Sequence, residues 1–168
     1  PSYGFSGRIP TMSGIFVRNR NLSTFEFYNS AIQISKEVNR LVASETVVPK
    51  KRKFLNAVPA MEAARSLLYN INRSDSFYPS NARNAYERKR YLTLAIADCE
   101  QLCLDMQQII DLNPPAKIAR FERLAELINL EIDLLKKARK GVKVIGTASI
   151  EDEIRDHEDE LRRLRELQ

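Results

Sequence analysis

The sequence predicts an all-α protein: an antiparallel up-down-up-down four-helix bundle with a short additional C-terminal helix. Three observations point there. Apolar residues recur at three- and four-residue steps through four segments of roughly 20–30 residues each. The breaks between them are short and rich in Pro, Ser, Asn and Gly. No stretch alternates convincingly with the two-residue period of a strand. Four long amphipathic helices joined by short turns pack as neighbours that run in opposite directions.

Residues 1–22 read as an irregular N-terminal segment, with Met12 a candidate start and the residues before it then vector-derived. The bundle spans residues 23–141. Ser23 and Glu26 form a capping-box pair for the first helix, whose stripe is Phe27, Ala31, Ile34, Val38 and Leu41, ending near Glu45. The second helix starts near Pro49, a residue suited to a first turn. It carries Phe54, Val58, Met61, Ala64, Leu68 and Ile71, and Pro59 is expected to kink it or split off its first turns. Ser80 is the expected cap of the third and longest helix, with Leu92, Ile96, Cys99, Leu102, Cys103, Met106 and Ile110 inward. The "NPP" run closes it and opens the fourth, with Asn113 as cap and a proline in the first turn. That fourth helix presents Ile118, Phe121, Ala125, Ile128, Ile132 and Leu135. Gly141 and Gly146 frame a linker over 142–148. The last helix, 149–168, is capped by Ser149 and shows Ile150, Ile154, His157, Leu161 and Leu164 at heptad spacing.

At 168 residues, 43% apolar and 29% charged, the chain is one domain with appendages. No apolar run approaches the roughly 18–20 residues that cross a bilayer. "PSYGFSGRIPT" has neither an apolar core segment nor a starting Met, so no signal peptide is read there. The expectation is a soluble, cytoplasmic protein with no membrane partner. The net charge of +5 is uneven. Residues 149–168 hold eight acids against four arginines, and the rest holds 23 basic against 14 acidic residues. A basic main domain points to a polyanionic partner.

Chemistry finds few footholds. Cys99 and Cys103 share a helix face, but a zinc site needs more ligands, and a disulfide across one helical turn is geometrically poor. Both fall in register with Ile96 and Met106, so they are expected to pack as small hydrophobes, reduced as in the cytoplasm. His157, the sole histidine, is expected half-buried at a helix interface. There is no phosphate-binding glycine loop and no nucleophile elbow. The pairs Asp98–Glu100 and Glu131–Asp133 are two residues apart and point to different faces. The chain therefore reads as no enzyme, without metal or other cofactor.

The basic residues remain. Up-down-up-down order gathers Arg18, Arg20, Arg73, Arg83, Arg88, Lys89, Arg90, Lys136, Lys137, Arg139, Lys140 and Lys143 at one pole. Lys50, Lys51, Arg52 and Lys53, with Arg40 nearby, lie at the other. Cations at the end of the fourth helix suit its dipole, but Arg88, Lys89 and Arg90 occupy early turns, where positive charge is unfavourable. Phosphate contact explains them better. Tyr78, Tyr86 and Tyr91 flank this pole, where ordinary packing and stacking on unpaired bases are both open.

"VPKKRKFLNAVPAMEAARSLLYNINRSDSFYP", "ERKRYLTLAIADCEQLCLDMQ" and "FERLAELINLEIDLLKKARKG" together resemble a known family in helix order, length and charge placement. It is the accessory variability determinants of diversity-generating retroelements, related to the four-helix proteins of ribosomal RNA intervening sequences. The resemblance covers about residues 24–141 and has no diagnostic motif. It implies a basic homo-oligomer, pentameric as in that family, that binds a reverse transcriptase and RNA, or an RNA/DNA hybrid, during mutagenic copying. This chain departs from the pattern in its extra N-terminal residues and its acidic last helix. Two readings stand: an RNA-binding accessory of a reverse transcriptase, and a helical adaptor whose basic pole meets an acidic protein. An enzyme with a site shared between subunits is a distant third.

Overall fold

In the computed structural model, which describes residues 25–113, 117–146 and 150–166, five α-helices are present and no strand among the described residues. They are α1 (Glu26–Ala43), α2 (Val58–Ser76), α3 (Ala82–Leu112), α4 (Glu122–Gly141) and α5 (Ile150–Glu166). The expected features of residues 1–24, the prolines of "NPP" and the Ser149 cap lie outside the described residues. The first described helix begins at Glu26 rather than at the Ser23 box, with Phe25 in the capping position.

Helices α1 to α4 enclose one core. Helix α1 packs on α2 and α4, and α3 packs on the same two, with α2 and α3 sharing the longest seam. Both helices bury small residues, Ala60, Ala63 and Ala64 on α2 and Ala85 and Ala95 on α3. Small side chains let two backbones approach closely, and Leu67, Ile71, Leu92 and Leu102 fill the space beyond them. Burying each such leucine or isoleucine contributes roughly 1.5–3 kcal/mol.

Pro59 does split off the beginning of α2. A proline has no N–H and crowds the carbonyl four residues earlier. The chain responds with a 3₁₀ turn at Lys50–Arg52 and a π turn at Lys53–Ala57, in which the Val58 N–H bonds back to the Lys53 carbonyl. The wider turn changes the phase of the buried stripe. It becomes Ala57, Ala60, Ala64, Leu67 and Ile71, with Asn70 and Ser74 beside it, while Phe54 (80%) and Val58 (38%) are exposed.

Three other expectations shift by a turn or less. Asn81, not Ser80, caps α3, its Oδ1 accepting from the Asn84 N–H at 2.7 Å. Asn113 ends α3 without capping α4: its Nδ2 donates to the Thr46 and Val47 carbonyls at 3.3 and 2.7 Å. A 3₁₀ turn at Ile118–Arg120 leads into α4, Ile118 is exposed, and buried Phe121 comes first into the core. On α4 the inward stripe is Leu124, Ile128, Glu131 and Leu135; Ala125 is exposed and Ile132 half-buried.

The Asn113 bonds, with Arg120 Nη1 donating to Thr46 Oγ1 at 2.6 Å, bring the end of α1, the end of α3 and the approach to α4 together. At the other end, the Ile145 N–H donates to the Pro79 carbonyl at 2.8 Å. A Cβ on Gly146 would stand 2.7 Å from the Ser80 carbonyl oxygen, so only glycine allows this approach. Helix α5 leaves from here with Ile154, Leu161 and Leu164 all more than half exposed. No helix among the described residues is long and apolar enough to cross a membrane.

Candidate nucleic-acid interface

The N-terminus of α3 meets acceptors before it meets cations. Besides the Asn81 cap, the Ala82 N–H donates to Glu153 Oε1 of α5 at 2.7 Å. These acceptors satisfy the dipole end that Arg83, Arg88, Lys89 and Arg90 then oppose.

The four cations of this stretch have different surroundings. Arg83 is exposed. Arg88 turns back against the α2–α3 turn: its Nη1 donates to the Phe77 carbonyl at 3.3 Å, and its Nη2 lies 3.6 Å from Asp75 Oδ1. Its side chain is only 18% exposed. Arg90 donates through Nε to Glu87 Oε2 at 2.9 Å and lies 4.8 Å over the Tyr91 ring. The Glu87 hydrogen bond holds its pKa above the ordinary arginine value. Lys89 is exposed.

On the facing helix, Arg139 Nη1 donates to Thr93 Oγ1 at 3.1 Å, and Thr93 Oγ1 donates to the Lys89 carbonyl at 2.9 Å. This relay joins α4 to α3. Beside it lies a groove of about 790 Å³ whose cations are Lys89, Arg90, Lys136, Arg139 and Lys140. Tyr86, Thr93 and Leu94 complete its lining. Five predicted residues from two helices thus share one concave surface. Arg139 and Lys140 also suit the C-terminal end of α4.

The other predicted residues are elsewhere. Arg88 and Lys137, with Lys143, line a separate hollow of about 710 Å³ that also holds Glu26 and Asp75 and has Phe25, Phe27 and Leu92 in its wall. Lys50, Lys51, Arg52 and Lys53 lie at the opposite end. There Lys53 Nζ donates to the Ala43 carbonyl at 2.6 Å, an ordinary use of a cation at a helix C-terminus. Of the tyrosines, Tyr91 is half-buried and stacked on Phe77, ring centroids 5.6 Å apart, while Tyr78 and Tyr86 are exposed.

Two expectations about single residues are corrected. Cys99 is buried, and burial pushes its thiol far above the ordinary range; Cys103 is exposed, because the inward step on α3 runs Cys99, Leu102, Met106, Ile109. His157 is exposed in the chain, with Nδ1 3.7 Å from Glu160 Oε2.

Sequence reasoning missed Glu131. Its carboxyl is fully buried with no hydrogen-bond partner for either oxygen among the described residues, and burial raises its pKa from 4.5 to about 8. The Ser30 hydroxyl faces it and opposes the shift without reaching hydrogen-bonding geometry. Three residues after Ile128 and four before Leu135, its position was a signal in the spacing.

No protein-family model matches this chain, and no curated protein matches it.

Proposed function

We propose that the protein is a non-enzymatic, RNA-binding accessory of a reverse transcriptase, supporting mutagenic reverse transcription in a diversity-generating retroelement. In this reading α1 to α4 form an antiparallel up-down-up-down bundle, and the protein is cytoplasmic and able to form a homo-oligomer. The observation that carries the RNA-binding part is the groove between α3 and α4. Five cations converge there, and among the described residues only Arg90 of the five is ion-paired to a carboxylate, that of Glu87. Tyr86, 65% exposed, borders the groove and offers a ring to an unpaired base. The reverse transcriptase and the retroelement rest on the resemblance in helix order and charge placement alone.

Five phosphate contacts on a single strand give a slope of about −3.5 in log affinity against log salt, roughly a hundredfold loss between 50 and 200 mM. Titrating a structured RNA with unpaired loops against the protein across that range tests the reading. A steep slope supports it, and no binding at low salt overturns it in favour of the adaptor that meets an acidic protein.

A further inference from the structure

The groove between α3 and α4 is more than a strip of charge. Tyr86 and Leu94 (40% exposed) give it an apolar lining between the cations. A phosphate backbone makes no use of Leu94. An acidic amphipathic helix would use both the leucine and the cations.

The chain carries such a helix. Along α5, Ile154, Leu161 and Leu164 form one stripe and are 52%, 53% and 56% exposed, so the core of α1 to α4 does not cover them. The helix bears eight acids against four arginines, and seven of the acids fall in residues 151–160. Its Glu153 is tied to the start of α3 through the Ala82 N–H. Held there, with its stripe uncovered, the helix is not seated in its own groove and stands available to another molecule.

We propose that the groove of one copy receives the α5 helix of a second copy, with Ile154, Leu161 and Leu164 on Leu94 and Tyr86 and the helix acids on Lys89, Lys136 and Lys140. Charge complementarity selects this partner: a net −4 helix meets a groove carrying five cations. Two copies of α5 pairing with each other would bring like charges together. The contact joins different surfaces of the two copies, so it builds rings or open chains. It also excludes RNA from the same cations, which makes assembly through α5 and RNA binding compete for the groove.

The test needs no RNA, so it stands or falls apart from the function proposed above. Light scattering gives the mass of the full chain at low and high salt. Two variants accompany it: Ile154→Ser/Leu161→Ser/Leu164→Ser, which spoils the helix, and Lys89→Glu/Lys136→Glu/Lys140→Glu, which spoils the groove. Wild type is expected above 19.3 kDa at low salt and at that mass in high salt, with each variant monomeric in both. Mixed together, the two variants should restore a species of twice the monomer mass, because one supplies a groove and the other a helix. A groove variant that keeps the wild-type mass overturns the proposal and leaves α5 pairing with itself. A wild type that is monomeric at low salt overturns it as well.

Discussion

A carboxyl group sealed among aliphatic side chains is either neutral or costly, and Glu131 is sealed completely. Its folded pKa, about 8, lies above the ordinary 4.5. The stability that the protonated acid allows is therefore complete below 4.5 and is lost as pH rises through 8. The loss is on the order of a few kcal/mol. Glu131→Gln, neutral at every pH, should match wild type near pH 5 and exceed it above pH 8, read as urea midpoints; parallel pH profiles would contradict this. Glu37 gives the opposite sign, since the Arg40 guanidinium bonded to it lowers its pKa and its contribution fades only as pH falls. The two cysteines separate as cleanly. In the native protein Cys103 should alkylate while Cys99 stays protected until unfolding, as a peptide map would show. Cys99 lies inside as expected, whereas Cys103 does not. The spacing of Glu131 with Ile128 and Leu135 is that of a core position, which its charge obscures, and Cys103 is expected inside although it lies one step past Leu102. Where a helix has three- and four-residue steps to choose between, packing against its neighbours makes the choice.

Helix identity was legible because periodicity runs the length of each element, whereas boundaries depend on one or two side chains. Ser80 and Asn81 are both good caps, and only the geometry shows that the Asn81 oxygen reaches the Asn84 N–H. Asn81→Ala should cost about 1 kcal/mol in chemical denaturation, and Ser80→Ala less than half of that. Pro59 announced a disruption but not its form: the π turn behind it rotated the buried face from Phe54 and Val58 to Ala57 and Ala60. Asn113 looked like a cap and instead ties the end of α3 to the carbonyls after α1, a contact between residues far apart in sequence. Of the described glycines, Gly146 is the one with no room for a side chain. Gly146→Ala would press a methyl group on the Ser80 carbonyl and lift the segment before α5 from the α2–α3 turn. Faster amide exchange at Ile145, whose N–H bonds to Pro79, should report the displacement.

At the scale of the molecule, charge placement was legible as a basic pole, but not as a groove. Topology could bring the start of α3 and the end of α4 together; it could not show that Arg88 turns to Asp75 and Phe77 while Lys89 and Arg90 face Lys136 and Lys140. The structure thus divides one predicted cluster into a largely unpaired groove and a hollow whose cations sit beside Glu26 and Asp75. The cluster at Lys50 to Lys53 lies at the far end, with Lys53 spent on the Ala43 carbonyl. In the function proposed above, the α3–α4 groove, and not basic charge in general, holds RNA. The most direct test compares RNA affinity at low salt for wild type, Lys89→Glu/Lys136→Glu/Lys140→Glu and Lys50→Glu/Lys51→Glu/Arg52→Glu, with helicity and urea midpoint checked for each. Both variants change net charge equally. Binding in the groove predicts roughly a hundredfold loss or more for the groove variant and less than about threefold for the distant one. Equal losses in the two would contradict it, because binding would then follow net charge and not the groove.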